Sequence, residues 1–433
     1  MRNPPSVPVI RAAVEALRDE AAALLCDLIR FPSLPGREAE VIDYAARRFA
    51  EVAVVERVPL SNALRDDPDY ASPLPGLDYE GRCNLRIRGT GGSACPNGEP
   101  RGTGGSACPP LLLNTHLDVV PAPESAFEPR IQDGVVYGRG ACDAKGQAAT
   151  IWLALAALRR LGAQPAGDLI AHLVVEEEVG GNGTLAMIRR GEQAAACIVL
   201  EPTEMRILSS VRGAVWFRLT LEGRAGHSGR AGDTVSALAM ARRAMEALEA
   251  YHARLLAASR GLPLFDPFSN PMPLTLGKLA AGDWPAAAPA RAVLEGVLGF
   301  LPNKNRFEVM QEMRQAILDA GDDWLREHFR LEFTYRHDAH VLPVDHPLVT
   351  GLQTCCRQAG LAGEVSAMTA SCDSWFYNNQ LGIPTAVFGP GSLRHAHSAG
   401  EQLALDDLAL AAAVLARFAV GQPFQAAAGF QPA

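Results

Sequence analysis

Aromatic residues are scarce in this 433-residue chain, at 6%, and no charge of either sign forms a long block. Lys and Arg number 40 against 48 Asp and Glu, a net charge of −8. Without a basic run, binding along a nucleic-acid phosphate backbone is excluded. Long apolar runs are missing too. The longest, 151–158 and 408–416, fall far short of the roughly 18 residues that a membrane helix needs. The opening MRNPPSVPVIRAA has no apolar signal core, so the expected location is the cytoplasm. Nine scattered cysteines form neither a CxxC…CxxC zinc framework nor a disulfide scaffold, and free thiols are expected. No Gly-x-Ser-x-Gly is present, which removes the serine-nucleophile hydrolases.

What is present is globular. Apolar residues make up 48% and charged residues 20%. At about 150 residues per domain the length predicts two or three domains. Residues 8–30 read as a helix with Val14, Leu17, Ala21, Leu24, Leu25 and Leu28 on one stripe, and 37–53 as a second. The run Arg-Gly-Thr-Gly-Gly-Ser-Ala-Cys-Pro occurs at 88–96 and again at 101–109. It is too short and Gly-rich for a solenoid unit and reads as a duplicated loop. From 111 to 200 strands and helices alternate, which predicts an α/β, mainly parallel sheet. Between 211 and 338 the order becomes β-α-β-β-α-β, a ferredoxin-like α+β layer. The α/β texture then resumes. The predicted organisation is one domain of 1–210 and 339–433 with 211–338 inserted into it.

Residues able to do chemistry gather where apolar strands end. His116 and Asp118 alternate after the strand 111–115, so both face one side. A carboxylate there can hold one imidazole nitrogen and leave the other for a metal. Asp143 lies where the Gly-rich loop 138–142 enters a helix, and a plain N-cap is the competing reading. Glu176, Glu177 and Glu178 follow the apolar strand 169–175, and three adjacent carboxylates there need solvent, protons or a cation. Glu201 ends the next strand, and His395 and His397 follow the strand 385–388. Strand carboxyl ends are where ligands bind in open α/β sheets. Oxygen and imidazole ligands without thiolates suit zinc, cobalt or manganese. Five such ligands around a central Asp suit two ions about 3.5–4 Å apart, leaving a Glu to deprotonate a water.

These segments, in this order and spacing, resemble the dinuclear zinc amidohydrolase family that contains acetylornithine deacetylase, succinyl-diaminopimelate desuccinylase, aminoacylase-1 and glutamate carboxypeptidase. The resemblance covers nearly the whole chain. It implies His116 and Glu201 on one metal, Glu178 and His397 on the other, and Asp143 bridging them. It implies Asp118 as the group orienting His116 and Glu177 as general base. Glu176 stands where the family usually has Asp. His397 is favoured over His395 because Glu401 follows it by four. The segment Gly223–Gly229 resembles the signature of the family's lid and dimerisation domain, which makes His227 an oxyanion-binding residue and implies a homodimer.

Two departures stand out. Relatives carry on the lid strand, just before Leu-Pro, an Arg that grips a substrate carboxylate; here that place is Gly299. Arg291, Arg306 and Asn303 are the candidate substitutes. Ser371-Cys372-Asp373 resembles the substrate loop, with Asp373 as a substrate contact. The implied cofactor is two divalent ions, zinc first, with cobalt or manganese as alternatives. The implied activity is hydrolysis of the amide bond of an N-acyl amino acid. A dipeptide or N-carbamoyl amino acid is the alternative substrate. A catalytically silent metal-binding scaffold is the alternative class, and Cys142 as a nucleophile is the remaining competitor.

Overall fold

The computed structural model describes residues 4–89 and 110–421. The duplicated loop, apart from Arg88 and Gly89, lies outside the described residues. A nine-stranded sheet organises the larger part of the chain. Its centre is parallel: Leu111–His116 lies between Leu169–Val174 and Ala196–Val199, and Thr385–Val387 continues beyond Ala196–Val199. All six residues of Leu111–His116 and of Leu169–Val174 are buried, as two covered faces require. The margins carry antiparallel pairs, so the sheet is mixed. Ala53–Pro59 pairs antiparallel with Cys83–Gly89, because the link between them carries no crossover helix. At the other margin Ile207–Val211 pairs antiparallel with His340–Val341 and parallel with Val365–Met368. His116, Glu178, Glu201 and His397 end or follow strands of the parallel centre, while Asp143 follows Val135–Tyr137 of a small three-stranded antiparallel sheet.

Polar residues inside that centre are hydrogen-bonded, as burial demands. Asn114 Nδ2 donates to the Tyr377 hydroxyl at 3.0 Å, and His172 Nδ1 lies 2.9 Å from the same oxygen. The helix Lys145–Arg160 is buried from Lys145 to Leu158, sandwiched beneath the sheet with Arg18–Ile29 and Leu405–Gly421. The first expected helix is two, Val7–Glu15 and Arg18–Ile29. The apolar stripe runs through the break, since Val14, Leu17 and Ala21 are all buried, and the change of direction keeps them on one core.

The second sheet has four strands in the order Leu274–Ala281, Arg291–Phe300, Gly213–Glu222, Phe329–His337, all antiparallel. Helices Ala237–Ala258 and Arg306–Ala320 cover one face and share an apolar core with it that includes Phe217, Leu248, Leu294 and Met313. Ser236 caps the first of these helices by accepting from Ala239 N. Asn305 and Glu308 form a capping box on the second. Among the described residues no helix is long and apolar enough to cross a membrane.

Candidate metal centre and active site

His116 closes its strand, and Leu117 N still donates to Val174 O at 2.9 Å. Its Nδ1 lies 3.0 Å from the carbonyl and 3.4 Å from the carboxylate of Asp118. Two acceptors on Nδ1 assign the hydrogen there and turn Nε2 inward. Nε2 meets Asp143 Oδ1 at 3.0 Å and Glu201 Oε1 at 4.0 Å. The Asp118 carboxylate also accepts the backbone N–H groups of Glu177 and Glu178, at 3.2 and 3.1 Å. One buried carboxylate thus fixes both the imidazole and the start of the acidic loop.

Asp143 does not cap its helix; the capping position is Ala144, and no side chain serves it. Its two oxygens face different histidines, Oδ1 toward His116 and Oδ2 toward His397 Nε2 at 3.4 Å. His397 Nε2 is also 3.0 Å from Glu178 Oε1. Donors on one tetrahedral divalent ion, with bonds of about 2.0–2.1 Å, stand roughly 3.3 Å apart. The spacings here, 3.0–4.0 Å, match that edge. The donor set therefore fits two divalent ions with Asp143 between them. His395 turns away, its Nε2 3.2 Å from Gln402.

The titration behaviour points the same way. Burial pushes the Glu177 and Glu201 carboxyls well above their usual range and Glu178 up to about 7. His397 is lifted to about 10 by Asp143 and Glu178. Burial opposes charge on Asp143, but His116 and His397 outweigh it and hold its carboxyl below normal. Protons crowd these groups where divalent cations would replace them.

Glu177 is buried and its carboxylate has no hydrogen bond among the described residues. Glu176 turns the other way, with φ at +64°. It pairs with Arg82, accepts from Tyr79 at 2.7 Å and from Asn182 at 3.2 Å, and Arg82 also meets Glu38 at 2.7 Å.

Asp373 is fully buried beside the cluster: one oxygen accepts from Thr184 at 2.6 Å, the other has no hydrogen-bond partner among the described residues, and its charge bears on Glu177 and Glu201. Other predicted residues lie elsewhere. Asn303 is exposed and bonds Ser259 and Ala258 at the end of a helix. Arg306 is committed to Asp69, and Arg291 is exposed. Cys142 is buried beside Glu401, which with burial pushes its thiol far up and makes it a poor nucleophile. His227 is exposed on a two-residue ribbon with Ala287–Ala288 and does not join the cluster within this chain.

Residue pattern alone passed over two supports. One Glu401 oxygen accepts the N–H groups of Gly140, Cys142 and Asp143, at 2.9, 3.3 and 3.2 Å, while the other pairs with Arg139. Its four-residue spacing from His397 was the available signal. The second support ties the two sheets together. His337 Nε2 lies 3.1 Å from Gly180 O, which can only accept, so Nε2 carries the hydrogen. Nδ1 then accepts from the Tyr335 hydroxyl at 2.7 Å, and that oxygen accepts from Ser371 at 3.0 Å. Burial pulls His337 down to about 3, so it stays neutral.

Residues 112–420 match the family described as peptidase family M20/M25/M40. An N-formyl-4-amino-5-aminomethyl-2-methylpyrimidine deformylase of Halalkalibacterium halodurans is 27% identical over 438 residues, covering 92% of this chain and 93% of that protein. An acetylornithine deacetylase of Myxococcus xanthus is 27% identical over 326 residues, covering 71% and 78%. Among solved structures, a dipeptidase of Saccharomyces cerevisiae superposes with a TM-score of 0.74 at 13% identity, covering 96% and 98%.

Proposed function

Because the chain belongs to the peptidase M20/M25/M40 family, a family of metal-dependent hydrolases of amide bonds, we propose that it cleaves an N-acyl amino acid to the free amine and the acid. The observation that carries this reading is Asp143 set between His116 and His397, with the unbonded Glu177 carboxylate beside them.

In this reading His116, Asp143 and Glu201 would hold one divalent ion and Asp143, Glu178 and His397 the other, with zinc the first choice and cobalt or manganese the alternatives. Bound ions supply Lewis acidity, which acidifies a water and polarises the scissile carbonyl. Glu177 would take a proton from the attacking water and return it to the departing amine. Burial suits it to the task, because it favours the protonated form that must follow. Asp118 keeps the hydrogen of His116 on Nδ1.

His227 donates to the oxyanion, in this proposal from a second copy of the chain. The outer edge of Leu274–Ala281 is free to pair, and Trp284, 70% exposed, follows in the loop that leads to the ribbon of His227. His227→Ala lowers kcat by about 10²–10³-fold without changing stability, because the side chain is exposed. An unchanged kcat would remove it from the mechanism.

The deciding experiment assays metal-stripped protein on N-acetyl, N-formyl, N-succinyl and N-carbamoyl amino acids and dipeptides, with and without added zinc or cobalt. Metal-dependent amine release from an N-acyl amino acid supports the proposal. Release from dipeptides alone moves the chain to peptidase chemistry. No metal binding at all overturns it.

A further inference from the structure

Three fully buried arginines each meet a carboxylate: Arg82 meets Glu38 and Glu176, Arg139 meets Glu401, and Arg306 meets Asp69. Two half-buried arginines differ: Arg336, which donates to Pro68 O and Tyr70 O, and Arg212. Arg212 forms the one-residue link between Ile207–Val211 and Gly213–Glu222 and has no carboxylate partner among the described residues. Its Nε donates to Thr369 O and its Nη1 to Gly213 O at 3.1 Å, which leaves Nη2 free of protein partners among the described residues.

Gly299 fixes where the guanidinium lies. It pairs with Ala214, so a side chain there would project on the same face as Ala214, Trp216 and Tyr335. A Cβ at Gly299 would stand 2.8 Å from Arg212 Nη1 and 2.9 Å from the Met272 backbone. The guanidinium fills the place that the glycine leaves open. This face looks onto the candidate active site. Tyr335, stacked on Trp216 at 5.1 Å, bonds Ser371, and its strand-mate His337 bonds Gly180 two residues after Glu178. Burial lowers Arg212 only to about 10, so it is charged at neutral pH. A partly desolvated cation with two donors spent on carbonyls and one pair open is poised for an anion.

We propose that Arg212 binds the carboxylate on the amine side of the substrate, with Gly299 kept small to admit the guanidinium. The inference rests on the amide-hydrolase reading and deepens it by naming a carboxylate-bearing substrate. The test compares N-acetyl-L-leucine with its decarboxylated twin, N-acetyl-3-methylbutylamine, on metal-loaded wild type, Arg212→Gln, Arg212→Lys and Gly299→Leu. Arg212→Gln is expected to lower kcat/KM for the acid by about 30-fold or more, mainly through KM, and to leave the twin within about threefold. Gly299→Leu, which keeps the cation but fills its place, reproduces the effect, and Arg212→Lys recovers part of it. Equal losses on both twins, or a wild type that cleaves both equally well, overturn the proposal. Cleavage confined to N-formyl-4-amino-5-aminomethyl-2-methylpyrimidine, which carries no carboxylate, also overturns it while the amide-hydrolase reading stands. If no substrate yields amine, that reading fails, and calorimetric binding of N-acetyl-L-leucine decides separately. Binding weakened tenfold or more by Arg212→Gln supports Arg212; equal or absent binding overturns it.

Discussion

Glu176 and Glu177 are adjacent, identical and buried, yet they occupy opposite chemical worlds. Glu176 is enclosed by Arg82, Tyr79 and Asn182, so its charge is answered by protein. Glu177 lies among Glu178, Glu201 and Asp373 with no side-chain hydrogen bond among the described residues, and the His116 imidazole is the one group named against it that offsets its charge. The lesson is that burial alone does not mark a functional carboxylate. An unanswered carboxylate, among others equally unanswered, does.

The comparison can be broken in four ways. Removing metal with a chelator is expected to abolish activity completely, and zinc or cobalt to restore it. The Glu176 cluster needs no ion, so far-UV circular dichroism should show the fold intact. Activity that survives chelation would separate the acidic cluster from the chemistry. Next, Glu177→Gln should keep both ions, counted by elemental analysis, and lose about 10²–10⁴-fold in kcat. A near-normal kcat would reassign the base. Third, Glu176→Gln should leave kcat per folded molecule nearly unchanged but cost roughly 3 kcal/mol of stability, measured by urea unfolding, because Arg82 loses one of two buried partners. If instead activity fell and stability held, the two glutamates would have to exchange roles. Smallest, Tyr79→Phe deletes one hydrogen bond to Glu176 and should cost about 1 kcal/mol in the same measurement, with kcat unmoved.

Much of this was legible in the sequence. His116, Glu177, Glu178 and Glu201 each stand where an apolar strand stops, a contrast of hydropathy that needs no coordinates. The βαββαβ order of the second sheet shows in alternating strand and helix periods, and its strands pair accordingly. The antiparallel margins were not legible, because pairing direction depends on how a chain returns and not on which residues line the strand. The partner of Asp373 was not legible for a related reason: a motif says that a loop is near the site but not that its carboxylate accepts from Thr184. Arg212 looked like any charged residue between two strands. Only the register of Gly299 against Ala214 shows that its guanidinium occupies the space a side chain at Gly299 would take.

The carboxylate of Glu401 gathers three backbone N–H groups of the loop that presents Asp143. Those partners are separated by some 260 positions, as in the contact from Gly140 to Glu401. During synthesis the loop therefore leaves the ribosome long before the group that holds its shape. A nascent chain can carry His116, Asp143, Glu178 and Glu201 and still lack the ordered central ligand. In the proposed two-ion centre, metal capture would wait for Glu401, just ahead of the helix Leu405–Gly421, and a product truncated before it would lack the group that holds the Asp143 loop.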